Sequence, residues 1–226
     1  MSKILVTGST GLIGSKVIKF LKKKNHVFGL SKSLNFDLSD EKQVKEFFKK
    51  NNNFEYLINL HGSNDHVIKN KSNIKSKISN NKSDFDYYFN NNVFSFYLTN
   101  KYFIKYCKKG KGIINFASIY AMNSPKHYLF RKPKDIFYVS SKHSVIGLSK
   151  YFATKYGKRL NVNCIVNGGI LDDQPLSFVN NLKKHIPKKR MMKVSDLYGI
   201  IELLCSDKSQ YINGSPIIID GGYSSW

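Results

Sequence analysis

Tyr138 and Lys142 stand four residues apart at the start of an amphipathic stretch, Tyr138-Val139-Ser140-Ser141-Lys142. On a helix, positions i and i+4 share a face, so the phenol and the ammonium would point to one place. A tyrosine of ordinary pKa, about 10, is a poor acid or base near neutrality, and a neighbouring ammonium stabilises its phenolate. The pair therefore suits proton transfer. A Tyr-x-x-x-Lys string is common by chance, so its surroundings decide its meaning. Ser118 follows the apolar run Gly112–Phe116, at the carboxyl end of a strand, where ligands bind in open α/β sheets. Asn59-Leu60-His61-Gly62 ends a second strand, and the stretch from Asn163 to Ile170, including Gly168, ends a third.

A different chemistry is written near the beginning. In Thr7-Gly8-Ser9-Thr10-Gly11-Leu12-Ile13-Gly14 a strand turns into a helix. Gly8 permits a tight turn, Gly11 lets backbone approach a pyrophosphate, and Gly14 lets helix and strand pack closely. The N–H groups of the opening helical turn then face the anion. The predicted nucleotide contacts on this turn are Gly8, Ser9, Thr10, Gly11, Leu12 and Ile13. The second strand ends at Ser31-Lys32, where NAD binders usually carry an acidic residue for the ribose 2′-hydroxyl. A cation without a carboxylate favours a 2′-phosphate, hence NADP over NAD. Asp37, followed by Leu38, is the candidate for the adenine amino group.

The elements that must hold these residues alternate in type. Strand candidates are 3–6, 26–30, 55–60, 112–116, 161–166 and 216–219; helix candidates are 12–24, 40–50, 85–108, 137–157 and 195–206. Val145, Leu148, Phe152 and Tyr156 recur at spacings of three and four, which marks one buried face. The pattern predicts a single α/β domain over 1–226: a Rossmann-like, doubly wound parallel sheet with helices on both faces. Leu30 and Asp37 are too close for a full crossover, which needs a dozen or more residues, so one crossover helix must be shortened or missing and the sheet curtailed on that side. Residues 62–83 read as a long polar loop or ragged helix.

Composition narrows the classes. With 226 residues, 41% of them hydrophobic, the chain suits one globular domain, and no apolar run approaches the roughly 20 residues of a membrane span. A strand at Lys3-Ile4-Leu5-Val6 leaves no room for a cleaved leader, and three cysteines (Cys107, Cys164, Cys205) without ligand spacing read as reduced core thiols; the expected location is cytoplasmic. Six scattered histidines predict no metal site. The formal charge of +22 is spread over most helices among many asparagines, which reads as solvated surface rather than a patch for nucleic acid or membrane, although it would also favour an anionic small-molecule substrate.

Taken together, these motifs resemble the short-chain dehydrogenase/reductase family over nearly the whole chain. The glycine turn looks like the family's cofactor turn in the spacing of its epimerase-like branch. Asn59-Leu60-His61-Gly62 stands at the family's NNAG motif, Asn91-Asn92-Val93-Phe94-Ser95 at its catalytic-asparagine helix, Ile113–Ser118 at its catalytic-serine strand, and Tyr138 with Lys142 at its YxxxK pair. Tyr211–Gly214 through Asp220-Gly221-Gly222 resembles the C-terminal segment of the single-domain branch. The short stretch after Leu30 is similar to dTDP-4-dehydrorhamnose reductases. An insert at Tyr128–Asp135 is expected to border the substrate, Asn167 replaces a usual proline, and Asp172-Asp173-Gln174 replaces a carboxamide-capping threonine.

The resemblance implies roles. Tyr138 is the proton donor or acceptor; Lys142 lowers its pKa and holds the nicotinamide ribose. Ser118 orients the substrate oxygen, and Asn92 holds a relay water. Asn59, His61, Gly62, Gly168 and Ile170 join the turn residues along the cofactor. It also implies NADP or NAD as cofactor and a homodimer or homotetramer formed through helices 85–108 and 137–157. The expected activity is hydride transfer between nicotinamide and a carbonyl or alcohol carbon of a small polar substrate, such as a phosphorylated or nucleotide-linked sugar of surface-glycan synthesis. Alternatives are a 3-oxoacyl carrier-protein reductase, an epimerase or dehydratase, and a non-catalytic nucleotide-sensing or nucleic-acid-binding protein.

Overall fold

The computed structural model describes residues 1–63, 80–130 and 133–225. Most of the segment foreseen as a loop at 62–83, part of the Tyr128–Asp135 insert, and Trp226 lie outside these. The described residues form a six-stranded, wholly parallel sheet: β1 (Lys3–Thr7), β2 (His26–Leu30), β3 (Tyr56–Asn59), β4 (Gly112–Phe116), β5 (Asn161–Asn167) and β6 (Pro216–Ile219). Its order is β2-β1-β3-β4-β5-β6.

Side chains alternate across each strand, and the two faces bury different sets. Leu5, Leu57, Ile113 and Val162 pack on one side against Val44 and Phe48 of α2 (Glu41–Lys50), Leu98 and Phe103 of α4 (Ser95–Tyr106) and Phe152 of α5 (Ile136–Tyr156). Ile4, Val6, Ile58, Ile114 and Ile165 pack on the other against Val17 and Leu21 of α1 (Leu12–Leu21) and Ile201 and Leu204 of α7 (Tyr198–Leu204). Both faces are therefore covered, and the central strands read as continuous apolar runs.

The chain leaves β1 toward β2 and then returns to β3 on the other side of β1. This reversal opens a crevice above the carboxyl ends of β1 and β3, the expected place for a ligand. Register keeps those ends level: Thr7 pairs with Asn59, and Asn59 with Asn115. Between β2 and α2 there is only a short 3₁₀ turn (Lys32–Leu34) and Asn35 in the left-handed region at φ 57°. Among the described residues the outer strand and helix of the common doubly wound order 3-2-1-4-5-6 are missing there, as the Leu30–Asp37 spacing predicts, and β2 is an edge.

Several helix expectations need correction. α1 ends at Leu21 rather than at 24. The single helix foreseen at 85–108 is α3 (Lys82–Phe89), a π-helical turn (Asn90–Phe94) and α4. The one foreseen at 195–206 is a 3₁₀ turn (Val194–Leu197) followed by α7. A helix α6 (Leu176–Lys184) was not foreseen. No helix among the described residues is long and apolar enough to cross a membrane.

Candidate active site

The glycine turn has the form its spacing predicts. Gly8 is in the left-handed region at φ 65°, and a Cβ there would lie 2.6 Å from the His61 backbone nitrogen. A Cβ on Gly14 would collide with the carbonyl of Gly8. Gly11 is the N-cap of α1, with no side chain capping the first turn and no acidic residue in it. The N–H groups of that turn are thus left for an anion.

Two adjoining cavities flank the turn. The smaller, about 250 Å³, is lined by Gly8 and Thr10 of the glycine turn and by Ser31, Lys32, Asp37 and Leu38, the residues assigned from sequence to the adenosine end. Thr10 Oγ1 lies 2.6 Å from Ser31 Oγ and 2.7 Å from Ser33 Oγ, so three hydroxyls cluster at the end of β2. Asp37 accepts from the Ser39 hydroxyl at 2.6 Å and lies 3.9 Å from Lys32 Nζ. Ser39 chiefly, with Lys32 helping, holds its carboxyl below the ordinary carboxylate range. The larger cavity, about 550 Å³, shares Gly11, Leu60, His61, Gly62 and Ser63 with the smaller one. It adds Leu12, Ile13, Gly168 and Ile170, and it holds Ser118, Tyr138 and Lys142.

The candidate reacting side chains come from two elements. Ser118 follows β4, and its Oγ accepts from the Tyr120 N–H at 3.3 Å. Tyr138 and Lys142 lie on the first turns of α5, whose N-terminus is capped by buried Asp135; its carboxylate accepts from Phe137 N at 2.7 Å and Tyr138 N at 3.1 Å. Tyr138 hydrogen-bonds to Ser118, and Lys142 Nζ is 5.8 Å from the Tyr138 ring centroid. The i, i+4 geometry therefore holds. The electrostatic expectation does not: burial pushes the Tyr138 phenol up to about 12, opposed by the Ser118 hydrogen bond. Lys142 is itself buried, and desolvation brings its pKa from 10.5 down to about 8.

Three expected contacts are placed differently. Ser9 is buried beneath the turn, against the spot where a Cβ on Gly29 would sit, and lines neither cavity. Asn59 lies in the sheet, donating at 2.8 Å to both Asn100 and Asn115. Asn92 is fully buried at the π-helical turn; it accepts from Ser63 N at 2.6 Å and donates to Ser63 O at 3.2 Å and Ser141 Oγ at 3.0 Å. With both donors engaged, its side chain clamps the loop after β3 to α5. His61 bonds Thr7 Oγ1 at 2.6 Å through Nδ1 and Ser95 Oγ at 2.9 Å through Nε2. Burial, with Lys142 adding to it, lowers its pKa to about 3, so it is a neutral contact and not an acid near pH 7.

The far wall of the larger cavity is built by Tyr120, Phe130, Lys134, Phe178 and Met191, of which sequence reasoning missed Tyr120, Phe178 and Met191. Phe130 and Lys134 belong to the Tyr128–Asp135 insert, which does border this cavity. It also missed Asp135 as the cap that sets Tyr138, although an Asp just before an apolar-periodic run is a helix-start signal. Asp172 and Gln174 line the same space. Among the described residues no group of acidic, histidine or cysteine side chains is arranged to hold a metal.

The chain is similar to known proteins in sequence and fold. The family profile described as Enoyl-(Acyl carrier protein) reductase matches residues 14–224. Post-translational flagellin modification protein A of Campylobacter coli is 28% identical over 134 residues, which is 57% of this chain and 52% of that protein. The 3-oxoacyl-(acyl-carrier-protein) reductase FabG of Staphylococcus epidermidis is 33% identical over 121 residues, 51% of this chain and 46% of that one. The chain spans about half the length of these curated relatives. Among solved structures, a short-chain dehydrogenase from Leptospira borgpetersenii with bound NAD+ superposes with a TM-score of 0.84 at 26% identity, over 99% of this chain and 92% of that one. 4-Hydroxyisoleucine dehydrogenase complexed with NADH gives a TM-score of 0.81 at 25% identity over 100% of both chains, and ElxO with NADP bound gives 0.80 at 25%, again over 100% of both. With a profile match across nearly its full length, this fold and this Ser–Tyr–Lys geometry, the chain belongs to the short-chain dehydrogenase/reductase family.

Proposed function

We propose that the protein is an NAD(P)-dependent oxidoreductase acting on a carbonyl or alcohol carbon of a small polar substrate. The observation that carries this reading is the continuity of the two cavities: a crevice floored by an uncapped helix N-terminus and glycines without room for a Cβ leads directly to Ser118, Tyr138 and Lys142. Those features fit a dinucleotide, whose pyrophosphate would meet the N–H groups of Leu12 and Ile13 and whose adenosine would lie toward Thr10, Ser31, Lys32 and Asp37. When bound, the nicotinamide supplies the hydride. The hydroxyls of Thr10, Ser31 and Ser33 beside Lys32 favour NADP, since all can donate to a 2′-phosphate.

In reduction, Ser118 donates a hydrogen bond to the substrate oxygen, and Tyr138 gives that oxygen its proton. Lys142 supplies positive charge beside the phenolate left behind and binds the ribose. An oxidised nicotinamide adds charge of the same sign, which draws the Tyr138 pKa down from the value burial imposes. Asn92 is a positioning residue that ties Ser63 to Ser141, the residue preceding Lys142 on α5. The formal charge of +22 supports an anionic substrate such as a phosphorylated or nucleotide-linked sugar. The FabG relatives support a second reading, reduction of a 3-oxoacyl thioester. The filled Ser–Tyr–Lys set argues against a non-catalytic sensor. Cytoplasmic operation fits three free cysteines, and a homodimer or homotetramer through α4 and α5 completes the proposal.

Tyr138→Phe tests it. The variant should bind NADPH within a fewfold of wild type, read by nucleotide fluorescence, and lose about 10²–10⁴ in turnover on a panel of keto-sugar nucleotides and a 3-oxoacyl thioester. Turnover near the wild-type rate would reject the assignment, and the preferred half of the panel separates the two substrate readings.

A further inference from the structure

Lys134 takes no part in the roles assigned above, yet it reaches the larger cavity from the loop that leads into α5. Its ammonium lies 4.6 Å from the centroid of the Phe130 ring, 5.5 Å from that of Tyr120 and 6.0 Å from that of Tyr138. A lysine on a chain of this charge has solvent available everywhere else. This one is lodged in an aromatic wall, and among the described residues no carboxylate pairs with it; burial alone drives its pKa from 10.5 down to about 7. Aromatic faces attract a cation without accepting a conventional hydrogen bond, so the three N–H donors remain available to something that enters the cavity. Asp172, the carboxylate on the cavity lining, has interactions of its own.

The position is specific. Lys134 and Lys142 both lie within about 6 Å of the Tyr138 ring, but Lys142 approaches from the Gly62 side, where a Cβ on that glycine would be 3.4 Å from its Nζ. Lys134 belongs instead with Phe130, which packs on Phe178 of α6 at 5.4 Å between ring centroids. One ammonium thus lies on the Gly62 side of the tyrosine and the other on the side of the Phe130–Phe178 wall.

We propose that Lys134 is the receptor for an anionic group on the substrate: the molecule that reacts at Tyr138 carries a carboxylate or phosphate a few bonds from its carbonyl carbon, and that group accepts hydrogen bonds from Lys134 Nζ. The inference rests on the oxidoreductase reading of the same cavity and narrows its substrate class. An anion in this wall meets a poorly solvated cation, where pairing is stronger than in water, and its arrival holds the lysine in its charged form. The rings of Tyr120 and Phe130 cover the apolar part of a small substrate.

The test uses the NADP-loaded protein and four probes in two matched pairs: acetoacetate with methyl acetoacetate, and dihydroxyacetone phosphate with dihydroxyacetone. Binding is measured by ligand-observed NMR titration, with NADPH oxidation followed separately. At least one anion should bind ten times or more tightly than its uncharged partner; Lys134→Met should abolish that preference and Lys134→Arg should keep most of it. The pair that shows the preference identifies the group as carboxylate or phosphate. Equal binding of both pairs by the wild type, or a preference that survives in Lys134→Met, overturns the proposal, and Lys134→Gln replaces the methionine variant if that one fails to fold. Anion preference lost with Lys134 but no NADPH oxidation by the wild type would leave the receptor standing and reject the oxidoreductase reading.

Discussion

Replacing Lys142 by methionine should stabilise the protein while removing its activity. The ammonium is buried beside the rings of Phe96 and Tyr138, 5.7 and 5.8 Å from their centroids, and desolvation takes its pKa from 10.5 to about 8. At about 1.36 kcal/mol per pH unit, that difference corresponds to roughly 3 kcal/mol by which the charged lysine strains the folded state. Methionine has a similar length and no charge; it forfeits a cation–π attraction of about 1 kcal/mol, which leaves a net gain of roughly 2 kcal/mol. For a chain of this size that is a rise in Tm of about 4–8 °C. The sign depends on pH. Below about 8 both the folded and unfolded lysine carry a proton, and the wild type bears the full penalty. Between about 8 and 10.5 the folded lysine is neutral while the unfolded one is still charged, so wild-type stability climbs with pH and the advantage of the variant shrinks. Above 10.5 it is gone. Scanning calorimetry of both proteins at pH 6.5 and 9.5 without nucleotide reads this directly. A variant that melts at or below the wild type at pH 6.5, or whose advantage grows with pH, would refute the reasoning.

Two further outcomes follow from the same geometry. Asp135→Ala removes the cap that accepts from Phe137 and Tyr138, so chemical denaturation should show a loss of about 1–2 kcal/mol; kcat should fall with it and recover in Asp135→Ser, which a purely global loss of stability would not require. Ser31→Asp puts a carboxylate among the hydroxyls at the end of β2, and fluorescence titration should show the ratio of NADP to NAD affinity falling at least tenfold, whereas an unchanged ratio would take the 2′-phosphate away from that site.

Much of this was legible in the residues because buried parallel strands and long amphipathic helices impose strong periodicities. β2, β4 and β6 fall on their expected bounds, β5 differs by a single residue, and α5 is offset by one residue at each end. The crevice was legible too, since a glycine turn after the first strand permits few other structures. What stayed hidden has physical reasons. α6 is a nine-residue helix capped by Pro175, too short for its Phe178, Val179 and Leu182 to establish a pattern. The π-helical turn adds a residue to a helix without any signature in composition, and it carries Asn92 into the core. Lys134 is one of 37 basic residues, and only its place among three rings distinguishes it from the others. The phenol's high pKa was invisible because it comes from burial, which spacing does not report.

The curtailed border of the sheet has a bearing on how molecules of this protein avoid sticking together. With no strand outside β2 among the described residues, its outward row of peptide groups is a template on which a foreign strand could grow. The chain reaches that row through Lys22, Lys23 and Lys24, all exposed, and the strand itself is five residues long. Lys24 is paired with Glu202 at 3.0 Å, so Lys22 and Lys23 are the charges that would oppose a second copy approaching this short ledge in register. Part of the large positive charge, which has no obvious ligand, thereby acquires a structural purpose: it keeps an unfinished sheet from finding a neighbour.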